Sequence, residues 1–155
     1  MRNAAQARGI DPIRLIFAPK LAHHEHLARH SCADLFIDTF NVNAHTTASD
    51  ALWAGLPLVT KAGKGFAARV AASLLTAIGL PELIVETEAA YEALILDLVR
   101  SPQQLQTVTE KLAQNRRTSP LFDAGLLTNH LETGYRAAYQ RLVEQKPPAH
   151  IRIAP

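Results

Sequence analysis

The sequence contains one cysteine and no long apolar run. The single cysteine, Cys32, excludes an internal disulfide and a cysteine-based zinc site, and it favours a reducing compartment. We expect its side chain to be a small buried filler. No window approaches the roughly 20 apolar residues that a membrane span needs, and the first residues lack the apolar stretch of a signal peptide. These absences predict a cytoplasmic chain with no membrane partner.

Aromatic residues and clustered charge are also scarce. Aromatics are 6% of the residues, which predicts an aliphatic core. The net charge is +2 and the lysines and arginines are scattered, so no basic block is present to bind nucleic acid. What the chain does have is an ordinary globular composition over 155 residues, 48% of them hydrophobic. A chain of this length forms one domain that buries roughly 70% of its unfolded surface.

Short apolar runs alternate with helical patterns along the chain. Runs bounded by turn residues predict strands at 14–18, 34–38, 56–60 and 82–86. Composition and spacing predict helices at 4–9, 22–33, 47–55, 66–80, 88–101, 101–117 and 126–145. This alternation is typical of an α/β fold with a Rossmann-like parallel sheet and helices on both faces. We expect that domain at residues 1–145, followed by a C-terminal tail at 146–155.

The stretch NVNAHTTASD, residues 41–50, follows the second predicted strand and is unusually polar. In a parallel sheet, such a loop opens on the ligand crevice, and the next helix points its N-terminal amides into it. Those amides bind phosphate, His45, Thr46 and Thr47 can donate hydrogen bonds to the same anion, and Asp50 can accept from ribose hydroxyls. The alternative is that one Thr is only the helix N-cap, Asp50 complements the helix dipole and His45 packs locally.

Two further patterns are weaker. Gly63 and Gly65 precede a predicted helix and form a possible second phosphate loop. The HHEH stretch places His26 and His30 one helical turn apart, but the zinc-protease pattern needs Glu directly after the first His, where this chain has Leu27. We therefore expect no metal site.

Several quoted stretches together resemble one known family. APKLAHHEHLARHSCADLFIDT, NAHTTASDALWAGLPLVT, FAARVAASLL and SPLF are similar to the C-terminal part of the catalytic region of the O-linked N-acetylglucosamine transferases. The resemblance runs from about Ala4 to about Ile151. It implies the C-terminal half of a two-domain glycosyltransferase of the GT-B type, usually preceded by tetratricopeptide repeats. Because the chain starts in a predicted helix, we expect this half to lack its first strand.

The resemblance also implies which residues hold the phosphates and the ribose. The family's His-Thr-Thr motif binds the diphosphate of the uridine nucleotide, and it falls on His45, Thr46 and Thr47. The ribose-binding Asp of the same helix falls on Asp50. These are the residues that the helix-start argument also indicates, and the resemblance favours the ligand site over simple capping.

For the uracil base, the resemblance implies residues in the second predicted helix. The stacking His falls on His26 and its neighbouring Arg on Arg29, with Leu21 where the backbone reads the edge of the base. Some members have a Lys near the ribose, and that position is His23 here, which leaves the contact open.

The implied reaction is an inverting, metal-independent transfer of N-acetylglucosamine from UDP-GlcNAc to Ser or Thr hydroxyls of a protein, with no cofactor. The acceptor-side His and the Lys that neutralises the leaving diphosphate lie N-terminal to the matched segment. Lys20, Lys61 and Lys64 do not fall on that Lys. We therefore expect the catalytic residues outside this chain and the isolated chain to be inactive.

One alternative is a non-catalytic module that binds nucleotide or pairs with another chain. A sheet without its first strand has an open edge and uncovered apolar surface, which favour an oligomer or pairing with the N-terminal half. A nucleotide-sugar epimerase would share the architecture, but it needs acid and base residues flanking a sugar, and none can be assigned. The identity of the sugar and of the acceptor protein stays open.

Overall fold

A three-stranded parallel sheet forms the centre of the structure, a computed structural model that describes residues 1–153. Its strands are β1 (Phe36–Ile37), β2 (Leu58–Lys61) and β3 (Ile84–Val85), in the spatial order β1-β2-β3. Phe36 pairs with Leu58, and Thr60 pairs with Ile84. Because both pairings are parallel, the carboxyl ends of the strands meet at one edge of the sheet.

Helices and short turns make up most of the remaining described chain. The α-helices are α1 (Arg2–Gln6), α2 (His23–Arg29), α3 (Thr46–Ala54), α4 (Val70–Ala77), α5 (Glu88–Arg100), α6 (Pro102–Asn115) and α7 (Ala124–Val143). Single 3₁₀ turns lie at Pro12–Arg14, His30–Cys32, Phe66–Ala68, Pro81–Leu83 and Pro120–Phe122. Helices α3, α4 and α5 each contact β2, and α2 contacts α3. None of the helices within residues 1–153 is long and apolar enough to cross a bilayer.

Strand β2 is the most buried part of the sheet. Leu58, Val59 and Thr60 are each 0% exposed. Successive side chains of a strand point to opposite faces, so both faces of β2 are covered. The surrounding core is mainly aliphatic and includes Ala48, Leu52, Ala71, Leu75, Ile78, Leu80, Leu83, Leu98 and Leu112. The predicted α/β fold class, a parallel sheet with helices around it, is confirmed.

The predicted strand at 14–18 is wrong, so the described chain has three strands rather than four. Pro12 is the first residue of a 3₁₀ turn, and the Asp11 side chain accepts a hydrogen bond from the Ile13 N–H. The following residues form neither helix nor strand, and Ile16 is 89% exposed. Apolar residues favour a strand only where a neighbouring strand exists, and none of the three described strands pairs with this segment.

Several predicted boundaries also differ. The strands at 34–38 and 82–86 shrink to two residues each, and the second is preceded by a 3₁₀ turn. The helix predicted at 22–33 ends at Arg29, because a separate 3₁₀ turn follows it. Cys32 lies in that turn and is exposed, so the prediction of a buried filler is wrong. The division at residue 146 stays a prediction, and residues 154–155 of the predicted tail lie outside the described residues.

Candidate functional site

A buried carboxylate ends β1 and holds the loop that follows. Asp38 is 5% exposed. Its Oδ1 accepts hydrogen bonds from the N–H groups of Thr39 at 2.8 Å and Ala44 at 2.7 Å, and its Oδ2 accepts from the Thr60 hydroxyl at 2.6 Å. A buried carboxylate needs donors of this kind to offset its desolvation. Asp38 therefore ties both ends of the loop to the sheet just before α3 begins.

A tyrosine fixes the same corner from α5. The Tyr91 hydroxyl donates a hydrogen bond to the backbone carbonyl of Asp38 at 2.6 Å. Its ring packs edge-on against Phe40 with the centroids 5.0 Å apart. Burial raises the pKa of Tyr91 from 10.0 to about 12, and the nearby charge of Asp38 adds to the rise. The hydroxyl therefore remains a donor at neutral and mildly alkaline pH.

Asn43 joins this loop to the loop that follows β2. Its N–H donates to the Ala67 carbonyl at 2.8 Å, and its side-chain amide donates to the Thr39 carbonyl at 2.7 Å. In the second loop, the Gly63 N–H donates to the Ala68 carbonyl at 2.7 Å. A Cβ on Gly63 would lie 2.5 Å from the Ala68 Cβ. Close backbone packing therefore requires this glycine, and its N–H is not available to a phosphate. The part of the predicted second phosphate loop that rests on Gly65 stays a prediction.

Helix α3 begins with an open N-terminus. His45 is the N-cap residue and no side chain caps the helix, so the alternative in which Thr46 or Thr47 is the N-cap is wrong. The N–H groups of Ala48 and Ser49 both donate to the His45 carbonyl at 3.1 Å. The N–H groups of Thr46 and Thr47 have no partner among the described residues, and both side chains are exposed. Unpaired amides at the positive end of a helix, beside two hydroxyls, suit an anion.

His45 and Asp50 flank these amides. The His45 ring is half-buried and packs edge-on against Phe66 at 6.1 Å, and its Nε2 lies 3.4 Å from the Ala67 carbonyl. This is the local packing that the alternative predicts, but the contact is long for a hydrogen bond and leaves room for a stronger acceptor. Asp50 lies one turn beyond Thr46, is half-buried, and has no hydrogen-bond or ion-pair partner among the described residues. The first turn of α3 contains no acidic residue, so Asp50 lies beyond the part of the helix where the dipole acts most strongly.

The base-side residues lie on α2 and hold one another. Arg29 donates from Nη1 to the Pro19 carbonyl at 2.8 Å and from Nη2 to the His26 Nδ1 at 2.6 Å. Because a guanidinium can only donate, the His26 Nδ1 accepts and its Nε2 carries the proton. The ring edge of His26 also contacts His30. Within residues 1–153, no three His, Cys, Asp or Glu side chains gather as a metal-ligand set.

The two remaining predicted residues lie at the start of α2. Leu21 precedes the helix and is 37% exposed. His23 is the first helical residue and is exposed, with no partner among the described residues. Because α2 packs against α3, the structure brings the two helices that carry the predicted residues into contact. The groups that touch one another are His26 and Arg29.

Lys61 lies at the carboxyl end of β2. Its Nζ is 3.0 Å from the Glu88 Oε1 and 4.2 Å from the centre of the Phe40 ring. Its ammonium group therefore contacts Glu88 and Phe40, and its absence from the ligand set stays a prediction.

Sequence reasoning missed the residues that support the site. Asp38, Asn43, Thr60 and Tyr91 form the hydrogen bonds that hold the loop before α3. One signal was present, since an Asp directly after an apolar run lies at the carboxyl end of a strand. The partners of that Asp come from β2 and α5, which no local pattern identifies.

Comparisons with known proteins identify the family of the chain. The model of glycosyl transferase family 41 matches residues 1–131. The chain belongs to glycosyl transferase family 41. Membership of this family confirms the resemblance to the O-linked N-acetylglucosamine transferases, because the similar proteins described next are named as such transferases.

Two curated relatives and one solved structure illustrate the similarity. The chain is 35% identical over 153 residues to a protein of Arabidopsis thaliana named "Probable UDP-N-acetylglucosamine-peptide N-acetylglucosaminyltransferase SEC", covering 98% of this chain and 16% of that one. It is 34% identical over 151 residues to the UDP-N-acetylglucosamine-peptide N-acetylglucosaminyltransferase of Caenorhabditis elegans, covering 97% and 13%. A mutant O-GlcNAc transferase of Thermobaculum terrenum superimposes with a TM-score of 0.82 at 33% identity, covering 88% of this chain and 26% of that chain.

The coverage of these matches is unequal. Nearly all of this chain aligns, yet it spans 16% and 13% of the two curated relatives. The family model matches residues 1–131, and the chain spans less than a fifth of the length of either curated relative.

Proposed function

We propose that this chain is the UDP-sugar-binding half of a protein O-N-acetylglucosaminyltransferase. The observation that supports this most directly is the open N-terminus of α3, whose amides at Thr46 and Thr47 have no partner among the described residues. They lie at the carboxyl end of a parallel sheet, where ligands of α/β folds bind. Asp38 holds the preceding loop in place, so the amides are pre-oriented before an anion arrives.

The diphosphate of the donor binds at the start of α3. Two backbone amides and the hydroxyls of Thr46 and Thr47 donate to the phosphate oxygens, and the helix dipole adds a favourable field. The His45 imidazole exchanges its long contact with Ala67 for a phosphate oxygen. Asp50, whose carboxylate makes no hydrogen bond or ion pair with a described residue, accepts from the ribose hydroxyls.

The nucleobase binds against α2. His26 stacks on the uracil ring, and its plane is held by the bond from Arg29. The backbone at Leu21 reads the edge of the base, and exposed His23 lies where other members have a Lys near the ribose. The contact between α2 and α3 sets the distance between the base and the diphosphate.

The reaction that this site serves is transfer of N-acetylglucosamine from UDP-GlcNAc to a Ser or Thr hydroxyl of a protein acceptor, with inversion. The leaving diphosphate accumulates negative charge, and amides and hydroxyls aimed at it stabilise that charge without a metal or cofactor. The groups that act on the acceptor belong to a segment outside this chain, so the isolated chain binds the donor without turning it over. The cytoplasm is the compartment expected for this activity.

Calorimetric titration of the 155-residue chain with UDP tests the proposal. We expect binding in the micromolar to millimolar range, and Thr46→Ala weakens it roughly tenfold because a hydrogen bond to a charged phosphate is lost. Thr107→Ala is the matched control, an exposed helical Thr far along the chain in α6. A folded chain that does not bind UDP contradicts the proposal, as does equal weakening by the control substitution.

A second candidate function is an interaction module, and α7 favours it. Leu127, Leu131, Tyr135 and Tyr139 are spaced four residues apart, which places them along one face of the helix, and each is at least 49% exposed. An apolar stripe of this kind is typical of a surface that pairs with another protein segment. Light scattering after size exclusion, together with the UDP titration, distinguishes the two candidate functions. A chain that associates, loses that association on Leu131→Lys and binds no UDP would favour the interaction module alone.

A further inference from the structure

His30 is a buried polar side chain that the proposed function does not use. It is 9% exposed and lies in the 3₁₀ turn that follows α2. Its Nδ1 is 2.8 Å from the backbone carbonyl of His26, so Nδ1 carries the proton and donates. The rings of His26 and His30 meet edge to face, with centroids 4.7 Å apart and planes at 74°. Both contacts end on the residue assigned to the nucleobase.

The His26 ring is therefore held from two sides. Arg29 donates to its Nδ1 at 2.6 Å, which fixes the tautomer and limits rotation of the imidazole about its Cβ–Cγ bond. His30 packs against its flank and at the same time holds the backbone of His26 at the last turn of α2. A ring that stacks on a base gains affinity when its orientation is already fixed, because less conformational entropy is lost on binding.

The two rings border an open space beside α2. A cavity of about 300 Å³ lies beside α2 and is bordered by His26, His30, Leu35 and Phe36. Both rings border this cavity, so removal of the His30 ring enlarges the open space beside His26. The imidazole then has more room to leave the orientation in which it stacks on the base.

We propose that His30 is a positioning residue that holds the His26 imidazole in the orientation that stacks on the donor nucleobase. The inference rests on the proposed function. His30 contacts neither the phosphates nor the ribose in this account, and it acts on binding only through His26. Its effect on affinity must therefore disappear when the His26 ring is absent.

A double-mutant cycle on the 155-residue chain tests this dependence, with UDP affinity measured by calorimetry. An aromatic pair contact corresponds to roughly a two- to tenfold change in affinity, so we expect His30→Ala to weaken UDP binding by that factor. In the His26→Ala background, His30→Ala should leave the affinity unchanged. In the Thr46→Ala background, which alters the diphosphate contact, His30→Ala should still weaken UDP binding by the same two- to tenfold. Circular dichroism melting of each variant verifies that it is folded.

Two conservative variants separate the ring contact from the hydrogen bond. His30→Phe keeps an aromatic edge against His26 and removes the N–H donor. His30→Asn keeps a donor in the position of Nδ1 and removes the ring. We expect His30→Phe to bind UDP nearly as the unsubstituted chain does, and His30→Asn to bind as weakly as His30→Ala.

The outcomes distinguish this inference from the function on which it rests. If the folded, unsubstituted chain binds no UDP, both are wrong. If it binds UDP and His30→Ala binds equally well, only the role of His30 is wrong. An equal loss in the presence and absence of the His26 ring also overturns the role, because it would show that His30 acts on the fold rather than through His26.

Discussion

The two sides of the candidate site are built in different ways. The diphosphate side, which we define as residues 38–50, is anchored in the core by Asp38 and Asn43, which are 5% and 3% exposed. The base side, residues 19–30, is held by local contacts of its own residues, chiefly from the Arg29 side chain to the Pro19 carbonyl and to His26. Changes on the first side should therefore affect stability and binding together, and changes on the second should affect binding alone.

The difference follows from what each side has to supply. Backbone amides can bind a phosphate only if the loop before them has a fixed path, and buried hydrogen bonds to a carboxylate fix such a path. A stacking side chain needs only a fixed ring plane. Neighbouring side chains on the same helix can fix that plane without burying many polar groups. Four substitutions, in order of decreasing expected effect, test this contrast.

Asp38→Ala should have the largest effect. It removes the acceptor of three hydrogen bonds and leaves the N–H groups of Thr39 and Ala44 without that partner. We expect the free energy of unfolding to fall by on the order of 3 kcal/mol, measured by urea denaturation. Asp34→Ala, an exposed carboxylate four residues earlier, is the matched control and should change it little. If the two substitutions lower the free energy of unfolding by similar amounts, Asp38 does not anchor the diphosphate side in the core.

Gly63→Ala should come next, because it distorts the loop after β2 that Asn43 joins to the loop before α3. The added Cβ would lie 2.5 Å from the Ala68 Cβ, so the backbone must move. Overpacking of this kind costs about 1–3 kcal/mol. Gly65→Ala is the control, since no atom lies within 4 Å of its added Cβ. Thermal melting of the two variants measures the difference, and equal melting temperatures would contradict the close packing described for Gly63.

Arg29→Met should lower UDP affinity more than it lowers stability. It removes the hydrogen bonds to Pro19 and His26 but leaves the core intact. UDP affinity should fall roughly tenfold, as expected for the loss of charged hydrogen bonds that orient a ligand-binding group, with little change in the free energy of unfolding. Arg117→Met, an exposed arginine after α6, is the control. A large loss of stability with unchanged affinity would reverse the contrast between the two sides.

Tyr91→Phe should have the smallest effect, about 1 kcal/mol from one lost hydrogen bond. The pKa of Tyr91 is raised from 10.0 to about 12, so the folded chain binds its proton more tightly than the unfolded chain does. The stabilisation from this proton is complete below pH 10.0 and is lost as the pH rises toward about 12. Urea denaturation across this range should show a steeper fall for the unsubstituted chain than for Tyr91→Phe. Parallel curves would contradict the buried donor at Asp38.

The parts predicted from the sequence are those with local or motif signals. The apolar runs at β1 and β2, the polar start of α3 and the family all follow from residues close together in the chain. The prediction of a strand at 14–18 was wrong because a strand needs a neighbouring strand, and composition does not show whether one is present. Asp38 was missed because its partners, Thr60 and Tyr91, are 22 and 53 residues away. The role of His30 depends on a ring contact that only the folded turn creates.

The central claim is that the start of α3 and helix α2 form one nucleotide site. The most direct measurement is NMR of the backbone amides during titration with UDP and, separately, with inorganic pyrophosphate. We expect UDP to shift the amides of Thr46 and Thr47 together with those around His26, whereas pyrophosphate should shift only the amides of Thr46 and Thr47. Shifts confined to other parts of the chain, or no shifts on adding UDP to the folded protein, would contradict it.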